Sequence, residues 1–145
     1  MNDNSEDFFR QIQKRIADYR GIDLDGERTL DYYKVQNQAV LFFTLEAVLE
    51  EHRKRFATPA NTLPGKQALH HMILQKYKWP LGDIRALSLQ DALFVLQEDL
   101  IGDRLPVAAR QVIKQFASET PTEPYSDIDD REWDPILYQQ FPKHW

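Results

Sequence analysis

"TLDYYKVQNQAVLFFTLEAVLEEHRKRF", residues 29–56, lies within the longest stretch of this chain without a glycine or proline, and its reading decides the fold. Thr29 offers a hydroxyl oxygen to the unsatisfied N–H groups of a first helical turn. Tyr33, Val40, Phe43, Ala47 and Val48 then recur at helical spacing, and Val35, Ala39, Phe42 and Leu49 widen the apolar stripe. A stripe that broad implies a helix contacted on more than one side, so we take it as the central element. The run His52 to Arg55 places cations at the end where the helix dipole favours them, and we expect a solvated cap there.

The chain on either side reads as further helices. Upstream, Asn4 or Ser5 can cap a helix that carries Phe8, Phe9, Ile12, Ile16 and Tyr19 on one face and stops at Gly21. Downstream, Thr58, Pro59, Asn61 and Pro64 break the periodicity as a loop does. A helix over about 66–78 follows, with Leu69, Met72, Ile73 and Tyr77 inward. Pro80 then forces a break, because its ring excludes the preceding residue from helical geometry. Ser88 with Asp91 resembles a capping box ahead of Leu89, Ala92, Leu93, Val95, Leu96 and Leu100, and Gly102 stops that helix. Pro106 opens a last one to about Ser118. No segment alternates with period two ahead of a hairpin turn, so sheet is not expected.

Composition bounds the rest. A chain of 145 residues is about one domain, and at this size roughly 68–70% of the unfolded surface can be buried. Cysteine is absent, which excludes disulfides, thiolate metal sites and thiol nucleophiles. The acidic, polar start MNDNSEDFF is unlike a secretory signal, and the longest apolar run, Ala39 to Phe43, is far too short to span a bilayer. We therefore expect a cytoplasmic protein with no membrane contact. A formal net charge of -5 repels phosphate backbones and speaks against nucleic acid as a partner.

The motifs that could carry chemistry are weak. "DLDGE", Asp23 to Glu27, looks like part of a calcium loop, but with Gly26 as the sixth position the first falls on Gly21 and the twelfth on Tyr32. "PGK", Pro64 to Lys66, lacks the remaining residues of a phosphate loop and reads as loop before helix. His70 and His71 are adjacent, about 100° apart on a helix, and cannot both face one metal ion from one stripe; no metal or cofactor is expected. The stretch Pro80 to Leu100 has the helix–turn–helix arrangement of a DNA reader. Its second helix, however, carries Asp91, Glu98 and Asp99 without Lys or Arg, and its apolar surface suggests a buried helix.

The last residues combine seven carboxylates and one arginine between Glu119 and Asp134 with the aromatics Trp133, Tyr138, Phe141 and Trp145. Asp134 and Pro135 can start one or two helical turns over Ile136 to Phe141. Rings of that size need shelter, either against the chain's own helices or against a partner. The expected fold is thus all-α: an irregular bundle of five or six helices over residues 1–118, with the acidic extension 119–145 packed over it as part of the same domain.

Two functions compete. The first is a non-enzymatic interaction protein, of adaptor, inhibitor or immunity type, meeting another, basic protein through Asp127, Asp129, Asp130, Trp133, Tyr138, Phe141 and Trp145. A homodimer through the aromatic tail is a variant of it. The second is a small enzyme with His70 or His71 beside Asp91, Glu98 or Asp99 in a pocket of the bundle.

Overall fold

A computed structural model of the chain describes residues 3–117 and 125–141. Among these residues the structure is all-helical. Helix α1 is Asp3–Arg20, α2 Leu30–Phe56, α3 Lys66–Tyr77, α4 Leu81–Arg85, α5 Leu89–Val95 and α6 Val107–Ala117. Short 3-10 turns follow at Gln97–Asp99, Gly102–Arg104, Asp130–Glu132 and Leu137–Gln140. No helix of the described residues is long and apolar enough to cross a membrane.

The starts and stops follow the side chains that make them. Thr29 Oγ1 accepts from the Tyr32 N–H at 3.3 Å and Ser88 Oγ from the Asp91 N–H at 3.1 Å, so both caps sit where short hydroxyl side chains allow them. At the end of α1, Gly21 takes φ +71°, which lets the Ile22 N–H return to the Ala17 carbonyl at 2.9 Å. Two expectations need correction. Ser5 lies buried inside the first turn of α1 and does not cap it. The helix opened by Ser88 ends at Val95, well short of Gly102, because tertiary contacts seize its end: Tyr77 O–H donates to the Val95 carbonyl at 2.9 Å, and the chain tightens into the 97–99 turn.

Helix α2 is the axis on which the others pack. Its neighbours are α1, α3 and α6. Phe42 and Phe43 are fully buried between them, with Phe8 and Phe9 of α1, and the Phe9 ring stacks on Phe116 of α6 at 4.1 Å. Each such side chain contributes on the order of 1.5–3 kcal/mol by leaving water. Because neighbours surround α2, its polar residues are enclosed as well: Gln36, Gln38, Thr44 and Glu46 are all buried. The cationic end is likewise not a solvated cap. Arg53 is buried, donates to the Leu63 carbonyl at 2.9 Å and the Gly65 carbonyl at 3.2 Å, and lies 3.8 Å from the Tyr138 ring centre.

Residues 125–141 run across these helices. Glu132, buried with its side chain at 0% exposure, receives a two-pronged ion pair from Arg20 at the end of α1. The same guanidinium donates to the Asp127 carbonyl at 2.6 Å and covers the Tyr125 ring at 3.5 Å. Next in sequence, Trp133 is buried and its indole N–H donates to Glu46 at 3.2 Å. Tyr138 is buried and its hydroxyl accepts from the Gly65 N–H at 3.3 Å, while Phe141 meets the Phe8 ring at 5.2 Å. Trp145, His144 and the start of the acidic stretch, residues 119–124, lie outside the described residues.

A buried carboxylate with one cationic partner is costly to strand. Arg20→Ala should lower stability by about 3 kcal/mol in urea unfolding, because it leaves Glu132 buried without its counter-ion. The double substitution Arg20→Met, Glu132→Leu should cost clearly less than the single one; a larger loss in the double variant would contradict this account of the pair.

Candidate functional site

Two surfaces stand out once the helices are placed. The first is a cavity of about 590 Å³ between the last turns of α2, the middle of α3 and the 97–105 segment. His52, Phe56 and Met72 form part of its wall, and Glu98, Asp99 and Ile101 part of its rim. His52 Nε2, in that wall, lies 2.8 Å from His71 Nδ1, a hydrogen bond between two ring nitrogens that joins α2 to α3. Burial, then the neighbouring His71 and the cations Arg53 and Arg55, lower the His52 pKa to about 4, and the His52 ring is neutral at pH 7.

Two of the carboxylates on this cavity, Glu98 and Asp99, are engaged by a lysine. Lys76 on α3 bridges Glu98 and Asp99, the latter at 2.6 Å. Those two hydrogen bonds hold the Lys76 ammonium well above its ordinary pKa, and the same contact lowers that of Glu98. Among the described residues neither His52 nor His71 meets a carboxylate. An imidazole oriented by an acid, the usual arrangement of a general base, is therefore not formed here. Nor do three His, Asp or Glu side chains gather among the described residues in a way that could hold a metal ion.

The remaining residues considered for an enzyme are dispersed. Asp91 is exposed on the first turn of α5, where its N–H meets Ser88. His70 points away from His71, into a smaller cavity beside Lys66 and Arg85. Only His71, Glu98 and Asp99 come to one side of the molecule.

The second surface is the outer side of the segment 79–101. Phe94 is 76% exposed on α5, although Leu89, Ala92, Leu93 and Leu96 beside it are core. A buried helix was expected here, and α5 is instead half exposed. Trp79, stacked on Tyr77 with ring centres 4.7 Å apart, and Leu81 are also exposed, as is Ile101 at 55%. Half of the eight exposed large apolar side chains among the described residues thus fall in this one segment, with Asp83, Asp91 and Glu98 exposed between them.

The C-terminal residues considered for a contact surface divide into two groups. Trp133 and Tyr138 are enclosed by the chain itself, and Phe141 is half buried against Phe8. Asp129 caps the 130–132 turn and accepts from Arg131, which holds its carboxyl well below the usual range. Asp130 accepts from the Leu89 N–H at 2.9 Å. Asp127 is exposed and contributes only its backbone carbonyl to Arg20. Phe94 and His52 are the residues that sequence reasoning passed over. The signal for Phe94 was its place four residues after Gln90, on the side of α5 away from Leu89, Ala92 and Leu93.

Comparison with protein-family models, with curated proteins and with solved structures gave no match to this chain.

The His52–His71 contact carries a pH dependence of definite sign. A histidine whose pKa is lowered by folding contributes stability that is complete above its unfolded value near 6.5 and is lost as pH falls toward about 4. The urea midpoint should therefore drop over that window by the equivalent of about 2 kcal/mol. His52→Gln should flatten this part of the profile; an unchanged slope in the variant would assign the acid sensitivity to other groups.

Proposed function

We propose that the protein is a non-enzymatic binding protein of the cytoplasm, an irregular helical bundle whose C-terminal extension closes over its core and whose segment 79–101 docks a basic partner protein. One observation carries the reading: Phe94 stands 76% exposed in the last turn of a helix whose other face is core. A phenylalanine held rigidly in water on a regular element is the kind of anchor that dominates interface energies. Trp79 and Leu81 of the same segment are exposed as well, and the exposed Asp83 and Asp91 supply carboxylates suited to lysine and arginine on the partner. The net charge of -5 acts in the same direction by steering a basic protein in.

The competing enzyme reading draws on the 590 Å³ cavity and on His71, Glu98 and Asp99 at its edge. It is the weaker of the two, since the imidazole is paired with another imidazole and both acids are bound to Lys76.

A photo-crosslinking phenylalanine analogue at position 94, compared with the same group at exposed Gln111 on α6, tests the proposal in native lysate. The expected outcome is an adduct with one basic protein at 94 and none at 111. With that protein purified, Phe94→Ala should weaken binding by about 2 kcal/mol, roughly thirtyfold. Equal adducts at both positions would refute the docking surface. An adduct of twice the chain's own mass would assign the surface to a second copy and overturn the basic partner.

A further inference from the structure

A second, smaller cavity of about 100 Å³ lies between α3, α4 and the first turn of α5. Its floor and sides include Leu69, Leu89 and Trp133, so it is apolar at depth. Four polar side chains from three elements line it: Lys66 and His70 of α3, Arg85 of α4 and Ser88 before α5. The one carboxylate among the described lining residues is Asp130, and it is already committed. Its Oδ1 accepts from the Leu89 N–H at 2.9 Å and its Oδ2 lies 3.7 Å from Lys66.

The remaining donors meet no acceptor among the described residues. Among the described residues Arg85 and His70 make no hydrogen bond or ion pair, and Ser88 Oγ accepts from the Asp91 N–H at 3.1 Å, which leaves its O–H proton available. Two permanent cations thus face one carboxylate among the described lining residues, and a positive charge is left over at the cavity's edge. His70 registers that field. Burial first, then Lys66 and Arg85, lower its proton affinity.

We propose that this cavity binds a phosphate-sized oxyanion, either free phosphate or the phosphate of a small monoester. The volume equals about three waters at roughly 30 Å³ each, which is room for one tetrahedral anion and too little for a nucleotide. Donors that converge from α3, α4 and the α5 approach suit a tetrahedral ligand, and the planar Arg85 fork can take two of its oxygens. The inference goes beyond the docking role of Phe94 and stands without it.

The test uses the intact protein and the His70 imidazole as its reporter. NMR spectra are recorded across pH in chloride and in inorganic phosphate at matched ionic strength, with phenyl phosphate as a third arm. Phosphate should move the His70 resonances saturably and raise its titration midpoint, because the anion offsets Lys66 and Arg85, while His71 stays in place. Arg85→Ala, at an exposed position, should weaken that response roughly tenfold with the thermal midpoint unchanged. Saturation by phenyl phosphate as well would assign the site to monoesters, and saturation by phosphate alone to the free ion. A linear, unsaturable response in all arms, or an equal response in Arg85→Ala, would overturn the site.

Discussion

Glu132 and Trp133 are consecutive, and they hold the C-terminal residues to the helices from two directions. The carboxylate enters a buried position only because Arg20 is waiting at the end of α1. The indole enters the core beside α2 only because Glu46 can accept its N–H. Each of these groups is expensive to bury alone, since an unpaired charge or donor in the interior forfeits its hydration. Together they make the position of the segment specific, and a shift by one residue would expose the ring and strand the acid. The aromatics that follow, Tyr138 against Arg53 and Phe141 against Phe8, extend an alignment already set.

That arrangement explains where apolar surface remains. The crossing segment reaches α5 through Gln90, whose side chain donates to the Ser126 carbonyl and accepts from the Ile128 N–H, and through Asp130 at the Leu89 N–H. It leaves the Phe94 position uncovered. The same crossing lines the small cavity with Asp130 and Trp133 while leaving Arg85 unmatched among the described residues. The exposed ring and the unneutralised cation are thus two consequences of one path over the α4–α5 region.

Much of the helical framework was legible because its signals are local. Thr29, Ser88 and Gly21 act within four residues of themselves, and the broad stripe of α2 announces enclosure through its own spacing. Shelter for Trp133 could be inferred because a large ring is costly in water. The features that escaped depend on residues distant in sequence. Arg53 looks like a solvated cation until the Leu63 and Gly65 carbonyls and the Tyr138 ring are placed around it. His52 and His71 are 19 positions apart, and no spacing rule joins a residue near the end of one helix to the middle of the next. Apolar residues almost all round α5 suggested burial, and which of them remains in water is decided by the path of residues 126–130.

The partners Arg20 and Glu132 are separated by 112 residues. Contacts so distant in sequence form late, after the chain-entropy cost of a long loop has been met. A ribosome releasing this polypeptide completes α1 and α2 long before Glu132 and Trp133 emerge. For that interval the nascent helices must stand with Glu46 and the adjoining core uncovered, a window in which premature association competes with folding. The molecule's vulnerability to misassembly is therefore concentrated in the interval before Glu132 and Trp133 emerge, and the arrival of those two residues ends it.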